Sequence, residues 1–168
     1  MKHTFLIALL SIPLVLAGCD KPDYSKAAAS GPVVRANGAA NLTITGNDQM
    51  KFDVTAFTVK SGEKVRLTFE NVGTMPVTTM GHDLVILQAG KDYKQFASDV
   101  AAKDKDKGPE AQGSLPESLV SETIAHTNIL GPGEKQTIEF TAPAPGKYSY
   151  LCTFPGHFVF MNGVMTVE

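Results

Sequence analysis

The sequence has little that could cross-link it and no surplus of positive charge. It contains no tryptophan and only two cysteines, Cys19 and Cys152, in 168 residues. Two cysteines cannot form the dense disulfide framework that stabilises small secreted domains. Its 15 basic residues face 17 acidic ones, a balance that argues against a nucleic-acid partner. The roughly 150 residues that follow the first 18 are enough for one ordinary domain.

The first 18 residues are predicted to be an export signal, not part of a fold. A short basic start precedes an almost continuously apolar run from Phe5 to Leu16. This run is too short to span a membrane comfortably, and it contains Pro13. The small residues of Leu16-Ala17-Gly18-Cys19 follow, as at the processing site of a cleaved signal.

These last four residues resemble the lipobox of bacterial lipoproteins. The resemblance implies that Cys19 is acylated and becomes the N-terminus on a bacterial membrane, facing the periplasm or the cell exterior. An ordinary cleaved signal, with Cys19 a chance residue, is the alternative. The Ala-, Gly-, Ser- and Pro-rich residues that follow are predicted to be a tether. We therefore divide the chain into a signal at 1–18, a lipid-anchored tether at 19–40 and one domain at 41–168.

The domain is predicted to be all-β. Short stretches of alternating or β-branched residues recur between turns rich in Gly and Pro, which favours a β-sandwich or barrel. Apolar residues between Asp92 and Val100 instead have helical spacing, which predicts one short helix within an excursion over Gly90–Ser121. The strands that we predict cover residues 42–45, 54–60, 65–69, 84–87, 138–141, 148–151 and 164–167.

One short segment gathers three side chains that bind soft metals. Cys152, His157 and Met161 lie between two predicted strands, around a Pro-Gly turn. With Cys19 acylated, Cys152 is a lone thiol in an oxidising compartment, and metal ligation explains it. Thiolate and thioether favour copper(I), and two His, one Cys and a weak axial Met form the blue-copper ligand set.

The second imidazole must come from elsewhere in the chain. Outside the signal, His82 and His126 are the remaining histidines. His82 follows Gly81 and precedes the apolar stretch Leu84–Leu87, whereas His126 lies in a stretch where an outward-facing strand histidine fits equally well. Position slightly favours His82, because a strand end beside a glycine turn suits a ligand, but spacing alone leaves both open.

From about Asn41 to Glu168 the sequence resembles the azurins, a family of blue-copper cupredoxins. The stretch from Thr141 to Lys147 is also similar to auracyanins, which are azurin-like relatives. The resemblance implies an eight-stranded Greek-key β-sandwich, cupredoxin-like, with one short helical flap. The segments that carry it are Gly46-Asn47-Asp48-Gln49-Met50, Met80-Gly81-His82, Ile124-Ala125-His126-Thr127, Gly133-Glu134-Lys135 and Cys152-Thr-Phe-Pro-Gly-His157, with Met161 at the azurin spacing.

The same resemblance implies a role for each residue of the site. His82, Cys152 and His157 would be equatorial ligands of one copper ion, with Met161 and the carbonyl of Gly81 as distant axial contacts. His126 would be a surface histidine. The backbone N–H groups of Asp83 and Phe154 would point at the Cys152 sulfur and tune the potential. Asp83 stands where asparagine is expected, and an ionised carboxylate there would favour copper(II) and lower the potential.

The function implied is single-electron transfer, cycling between Cu(I) and Cu(II), not enzymatic catalysis. Electrons would leave at the edge of His157, and the partners would be redox proteins such as c-type cytochromes or membrane oxidoreductases. Copper sequestration or delivery is the main alternative, while a Cys152–His157 nucleophile pair and a zinc site have less support. The implied partner patch comprises Met50, Met75, Met80, Pro155, Gly156 and Phe160, with Phe154 as a further candidate that could equally pack the core.

Overall fold

The computed structural model describes residues 31–103 and 114–168. The predicted signal, Cys19 and most of the predicted tether lie outside these ranges, as does most of the lysine- and aspartate-rich stretch after residue 103. None of the helices within the two ranges is long and apolar enough to cross a membrane. The division into signal, tether and domain therefore stays a prediction.

The described residues form two antiparallel-rich sheets that share one core. The first sheet has the order β1-β2-β5-β8, with β3 paired to β2, and the second has the order β4-β10-β9-β6-β7. In chain order the strands are β1 (Val34–Ala36), β2 (Ala39–Asn47), β3 (Lys51–Phe52), β4 (Ala56–Val59), β5 (Lys64–Asn71), β6 (Val85–Leu87), β7 (Thr123–His126), β8 (Lys135–Thr141), β9 (Gly146–Leu151) and β10 (Asn162–Val167).

The predicted all-β sandwich is confirmed, although the expected number of strands is too small. Ten strands, not eight, lie within the described residues. The three outside the predicted ranges are β1, β3 and β7. Of these, β1 and β3 are very short and pair with β2. Every residue of β1 is exposed, so β1 has no alternation of buried and exposed positions that a sequence pattern could reveal.

Helices are few and short. They are α1 (Val77–Met80), α2 (Tyr93–Lys103), α3 (Glu117–Val120) and a 3₁₀ helix at His157–Val159. The helix expected between Asp92 and Val100 is present as α2. The excursion over Gly90–Ser121 was expected to contain one helix, and that expectation is wrong because α3 lies there too. A four-residue helix is too short to show helical spacing.

The core is built from the inward faces of both sheets. Along β5, Val65, Leu67 and Phe69 are buried while the residues between them are more exposed, the alternation expected of a strand with one face on a core. An aromatic chain crosses the core from Phe69 through Phe52 to Tyr150, with ring centroids 5.7 Å apart at each step. This packing holds the two sheets in a fixed relation.

A second, smaller cluster joins the flap to the sandwich. Phe96, Ala97 and Val100 of α2 and Leu119 of α3 are buried in this cluster. They pack with Val85, Leu87 and Leu151 from β6 and β9, and the partly buried Tyr93, Leu115 and Phe158 pack against them. Because Leu151 precedes Cys152 and Phe158 follows His157, the flap supports the segment that holds the predicted ligands.

Candidate metal centre

His82 is held at the end of the sandwich by its backbone. Its N–H donates to the Leu130 carbonyl at 3.1 Å, and the Leu130 N–H donates to the His82 carbonyl at 2.7 Å. Gly81 before it has no room for a side chain, because a Cβ there would lie 2.6 Å from Ile129 Cγ2 and 2.7 Å from the Val77 carbonyl oxygen. A larger residue would therefore displace the segment that carries His82.

Asn71, at the end of β5, adds a polar support behind this segment. Its buried side-chain amide donates to the Leu130 carbonyl at 2.9 Å, the same carbonyl that accepts from His82. Its Oδ1 accepts the N–H of Gly73 at 2.9 Å. One side chain thus ties the last residue of β5 to two loops beside His82, a role that was not predicted from the sequence.

The loop between β9 and β10 is closed by its own backbone. The Cys152 N–H donates to the Met161 carbonyl at 3.0 Å, and the Met161 N–H donates to the His157 carbonyl at 2.8 Å. The turn is possible because Gly156 adopts a φ of 83°, a left-handed conformation that glycine adopts without strain. Met161 is fully buried, with its methyl group against Gly46 of β2.

The two segments bring three ligand atoms together. His82 Nδ1 lies 3.2 Å from His157 Nδ1. Cys152 Sγ lies 3.9 Å from His82 Nδ1 and 3.8 Å from His157 Nδ1. All three side chains are at most 4 % exposed. The triangle therefore lies inside the protein, beneath the loop.

The size of this triangle fits a transition-metal ion. The point equidistant from the three atoms is about 2.1 Å from each of them, within the roughly 2.0–2.3 Å that nitrogen and sulfur ligands keep from such an ion. Two imidazoles and a thiolate are also the equatorial donors of blue-copper sites. The residues present thus fit a copper ion in both distance and donor chemistry.

The imidazoles are set up to offer their Nδ1 lone pairs. His82 Nε2 lies 3.1 Å from the Asn47 carbonyl oxygen, to which only a protonated Nε2 can donate, so Nδ1 carries the lone pair. Burial lowers the pKa of His82. Burial and then the neighbouring His82 lower the pKa of His157 to about 4. Both rings are therefore neutral near pH 7, as metal ligation requires.

The thiol needs the metal in order to ionise. Burial raises the pKa of Cys152 well above its usual value, and the charge of Asp83 raises it further. The backbone N–H groups of Asp83 and Phe154 donate to Sγ and oppose this rise. A metal ion at the centre of the triangle would supply the positive charge that stabilises the thiolate.

Asp83 lies immediately behind the ligands. Its carboxylate accepts the N–H and the hydroxyl of Thr153, each at 2.6 Å. Burial raises the pKa of Asp83 to about 6, although the bonds from Thr153 oppose the rise. Sequence reasoning identified Asp83 but not its partner Thr153, because nothing in the residue types predicts a bond across 70 positions.

The structure separates the two candidate histidines. His82 lies within 4.8 Å of the ligand atoms of Cys152 and His157. His126 lies outside this cluster on β7, partly exposed, with Nδ1 3.3 Å from the Thr127 carbonyl oxygen. The axial contacts from Met161 and the Gly81 carbonyl stay predictions.

The predicted partner patch is only partly exposed. Met75, Pro155, Gly156 and Phe160 are exposed, Phe160 by 61 % and Met75 by 41 %. Met50 and Met80 are half-buried. Phe154, the further candidate, is buried, with its ring centroid 4.6 Å from that of His157. Val72 and Val159 are also exposed apolar side chains, and no sequence pattern marked them as part of the patch.

A model of copper-binding proteins of the plastocyanin/azurin family matches residues 39–168. The chain belongs to this family. Azurin of Pseudomonas aeruginosa is 32 % identical over 167 residues, covering 97 % of this chain and 94 % of the azurin. Outer membrane protein H.8 of Neisseria meningitidis serogroup B is 34 % identical over 135 residues, covering 77 % of this chain and 68 % of that protein.

Solved structures agree with this assignment to the plastocyanin/azurin family. The dithionite-reduced auracyanin of Roseiflexus castenholzii superposes with a TM-score of 0.64 and is 36 % identical, covering 78 % of this chain and 99 % of the auracyanin. The resemblance to azurins, with auracyanin-like features, is confirmed. The cofactor is one copper ion, because the family binds copper and the buried His82–Cys152–His157 triangle fits it.

Proposed function

We propose that the protein is a membrane-anchored blue-copper carrier that moves single electrons between redox partners. His82, Cys152 and His157 would hold the copper, and Met161 and the Gly81 carbonyl would be further, weaker ligands. The observation that carries this proposal is the buried triangle with sides of 3.2, 3.8 and 3.9 Å. Members of the plastocyanin/azurin family are electron carriers rather than enzymes, which agrees with a site that has no place for a substrate.

Bound copper would supply one-electron redox chemistry, and the chain's own residues would keep its surroundings constant. Backbone bonds from Leu130 and Met161 fix the segments of His82 and Cys152. The Asn47 carbonyl fixes the His82 ring. None of these groups is itself oxidised or reduced, so the ligand positions need not change when an electron arrives. A carrier benefits from this, because Cu(I) and Cu(II) otherwise prefer different geometries.

The exposed apolar side chains beside His157 support docking of a redox partner. His157 is buried by its own loop, where Pro155 and Gly156 are exposed next to it. Met75 and Phe160, the other exposed members of the predicted patch, would widen this surface. Redox partners use small interfaces and separate quickly, so a patch of this kind suits a c-type cytochrome or a membrane oxidoreductase.

Copper delivery is the weaker explanation of the same ligands. A protein that passes copper to a partner needs a route by which a second ligand can reach the ion. All three ligand side chains here are at most 4 % exposed, so the loop would have to open before any exchange. Electron transfer through the His157 edge requires no such opening.

Membrane attachment through Cys19 is supported by the sequence Leu16-Ala17-Gly18-Cys19 and by the relative that is named an outer membrane protein. A Cys19→Ser variant would remain uncut or soluble, whereas the wild type would take up labelled palmitate and fractionate with membranes. Palmitate labelling of both proteins in a bacterial host tests this part separately. Equal labelling of the two would contradict the anchor.

The visible spectrum of the Cu(II)-loaded protein tests the site. We expect an intense thiolate-to-copper band towards the red, lost in Cys152→Ala and altered in His82→Ala. His126→Ala is the matched control and should leave the band unchanged. A colourless copper complex, or a band that depends on His126, would overturn the proposal. Slow electron self-exchange in a blue protein would instead favour copper sequestration.

A further inference from the structure

We infer that Asp48 is a positioning residue for the copper ligand His82, acting through the backbone carbonyl of Asn47. The inference rests on the copper site proposed above. Asp48 does not touch the three ligand atoms. It fixes the turn after β2, which supplies the hydrogen-bond acceptor for the outer nitrogen of the His82 ring.

The Asn47 carbonyl is the point at which the first sheet contacts the metal centre. It accepts from His82 Nε2 at 3.1 Å and from the Met50 N–H at 3.0 Å. A ligand imidazole is oriented by the hydrogen bond that its second nitrogen makes. The direction of the His82 ring therefore depends on where this carbonyl is held.

The Asp48 carboxylate ties the Asn47 turn to a neighbouring loop. It accepts the Thr74 N–H at 2.9 Å, the Thr74 hydroxyl at 2.9 Å and the Met75 N–H at 3.3 Å. These bonds, led by the one from the Thr74 backbone, hold the pKa of Asp48 below its usual value. The carboxylate is thus ionised and fully engaged across the neutral pH range.

The loop is built to receive this carboxylate. A side chain at Gly73 would collide with Asp48 Oδ1, so only glycine lets the loop approach closely enough. From Met75 the chain leads through α1 to Gly81 and His82. Asp48 therefore joins two segments that position the His82 ring. One is the segment that leads to His82 itself, and the other is the turn whose Asn47 carbonyl accepts the ring N–H.

The turn itself is strained and needs an external tie. Met50 adopts a φ of 54°, a left-handed conformation that is unfavourable for a long side chain. Such a conformation persists when surrounding contacts over-determine it. Without the hydrogen bonds that Asp48 accepts from Thr74 and Met75, the turn could relax and shift the Asn47 carbonyl away from His82.

The hydrogen bond from His82 Nε2 to the Asn47 carbonyl can be measured directly. The measurement is the hydrogen exchange of the His82 Nε2–H proton in the full-length Cu(I) protein, followed by ¹⁵N NMR. We expect exchange to be about tenfold faster in Asp48→Ala, which corresponds to about 1.4 kcal/mol of lost protection. Asp48→Asn keeps an oxygen for the Thr74 N–H and should change the rate by about twofold or less. Comparing the two variants separates positioning from charge.

Asp53→Ala is the matched control. Asp53 lies beside the same hairpin, and its Oδ1 accepts the Thr45 N–H at 2.6 Å. Asp53→Ala therefore removes one negative charge and one hydrogen bond to the backbone, but leaves Asp48 bonded to the loop at Thr74 and Met75. Gly73→Ala is the second test, because its methyl group would displace the Asp48 carboxylate, its nearest contact, while leaving the charge in place; Asn71 Oδ1, at 3.0 Å, would have to shift only by a few tenths of an ångström. We expect Gly73→Ala to reproduce the fast exchange, and Asp53→Ala to leave the rate within about twofold of the wild type.

The possible outcomes distinguish a failure of the Asp48 role from a failure of the proposed copper site. Equal rates in Asp48→Ala and Asp53→Ala, or in Asp48→Asn and Asp48→Ala, would overturn the positioning role. If Asp48→Ala does not fold, Gly73→Ala and Asp48→Asn still give the answer. A wild-type copper protein without the intense visible band would refute the proposed function itself, whereas a blue wild type with unaffected variants would refute only the role of Asp48.

Discussion

Asp83 offers a test in which one buried charge is removed and almost nothing else changes. Asp83→Asn keeps the shape of the side chain. The new Oδ1 can still accept the Thr153 N–H, and Nδ2 can donate to the Thr153 hydroxyl, in place of the two 2.6 Å bonds of the carboxylate. The substitution therefore isolates the effect of ionising a carboxyl group inside the copper end of the sandwich.

The magnitude follows from the pKa of the buried carboxyl. Burial raises the pKa of Asp83 from 3.8 to about 6, so the folded protein holds this proton more tightly than the unfolded chain does. The stability that this group contributes is complete at low pH and is lost as the pH rises from 3.8 through about 6. By linkage the loss is about 3 kcal/mol at pH 8 and about 1 kcal/mol at pH 4.5.

Asp83→Asn should therefore stabilise the copper-free protein by about 2 kcal/mol more at pH 8 than at pH 4.5. Urea unfolding of both proteins at both pH values measures this double difference. Titrating groups that do not interact with Asp83 occur in both proteins and cancel. The Cys152 thiol does interact with Asp83, but burial, the larger cause of its raised pKa, keeps it protonated at both pH values in both folded proteins. An equal effect of the substitution at the two pH values, or a larger gain at pH 4.5, would refute the assignment of the raised pKa to burial of Asp83.

The same variant, loaded with copper, should have a higher midpoint potential. An ionised Asp83 stabilises the more positively charged Cu(II) state, and asparagine does not. At an effective dielectric constant near 20, a unit charge beside the ligands contributes on the order of 100 mV for one electron. Redox titration at pH 8 gives the value, and a fall or no change would reject this role for Asp83.

Three further results are expected. Copper(II) binding at pH 8 should release about one proton per ion, measured by pH-stat, because burial keeps the Cys152 thiol protonated until the metal arrives; no release would argue against thiolate ligation. Relative to His157→Gln, the copper-free wild type should lose about 2 kcal/mol of unfolding free energy as the pH falls from 6.5 towards 4, because burial lowers the pKa of His157 to about 4 and solvent screening reduces the effect. The same pH dependence of the two proteins in urea unfolding would contradict this. Phe158→Ala should lower the free energy of unfolding of the copper-free protein by about 2 kcal/mol, because Phe158 packs on the flap cluster. Phe160 is exposed, so Phe160→Ala should change the free energy of unfolding by about 0.5 kcal/mol or less. A larger loss in Phe160→Ala than in Phe158→Ala would contradict the packing.

Strands with one buried face could be predicted from the sequence, and strands without one could not. In β5, the residues Val65, Leu67 and Phe69 face the core in alternation, so the period of two is visible in the residue types. β1 is exposed at all of its positions and is held at the sheet edge by pairing with β2. Pairing of that kind uses backbone groups, which every residue has, and so leaves no pattern.

The site divides in the same way. Cys152 and His157 could be predicted because their residue types are rare and their segment is short. Spacing alone did not choose between His82 and His126, because both lie next to apolar stretches. The fold distinguishes them, since His82 bridges to Leu130 at the end of the sandwich while His126 lies partly exposed on β7.

The supports of the site were the least predictable part, and they tie the positions of the ligands to the fold. The carbonyl oxygens of Leu130 and Met161 hold the segments of His82 and Cys152, and the carbonyl of Asn47 orients the His82 ring. All three are backbone groups, and those of Asn47 and Leu130 come from parts of the chain far from His82 in sequence. Since the folded core, rather than the copper ion, determines their positions, the ligand triangle belongs to the fold. The free energy that keeps two imidazoles and a thiol in contact must then come from the folding of the sandwich. Removing one supporting hydrogen bond should therefore shift the positions of the ligands, while the same three residues remain the ligands.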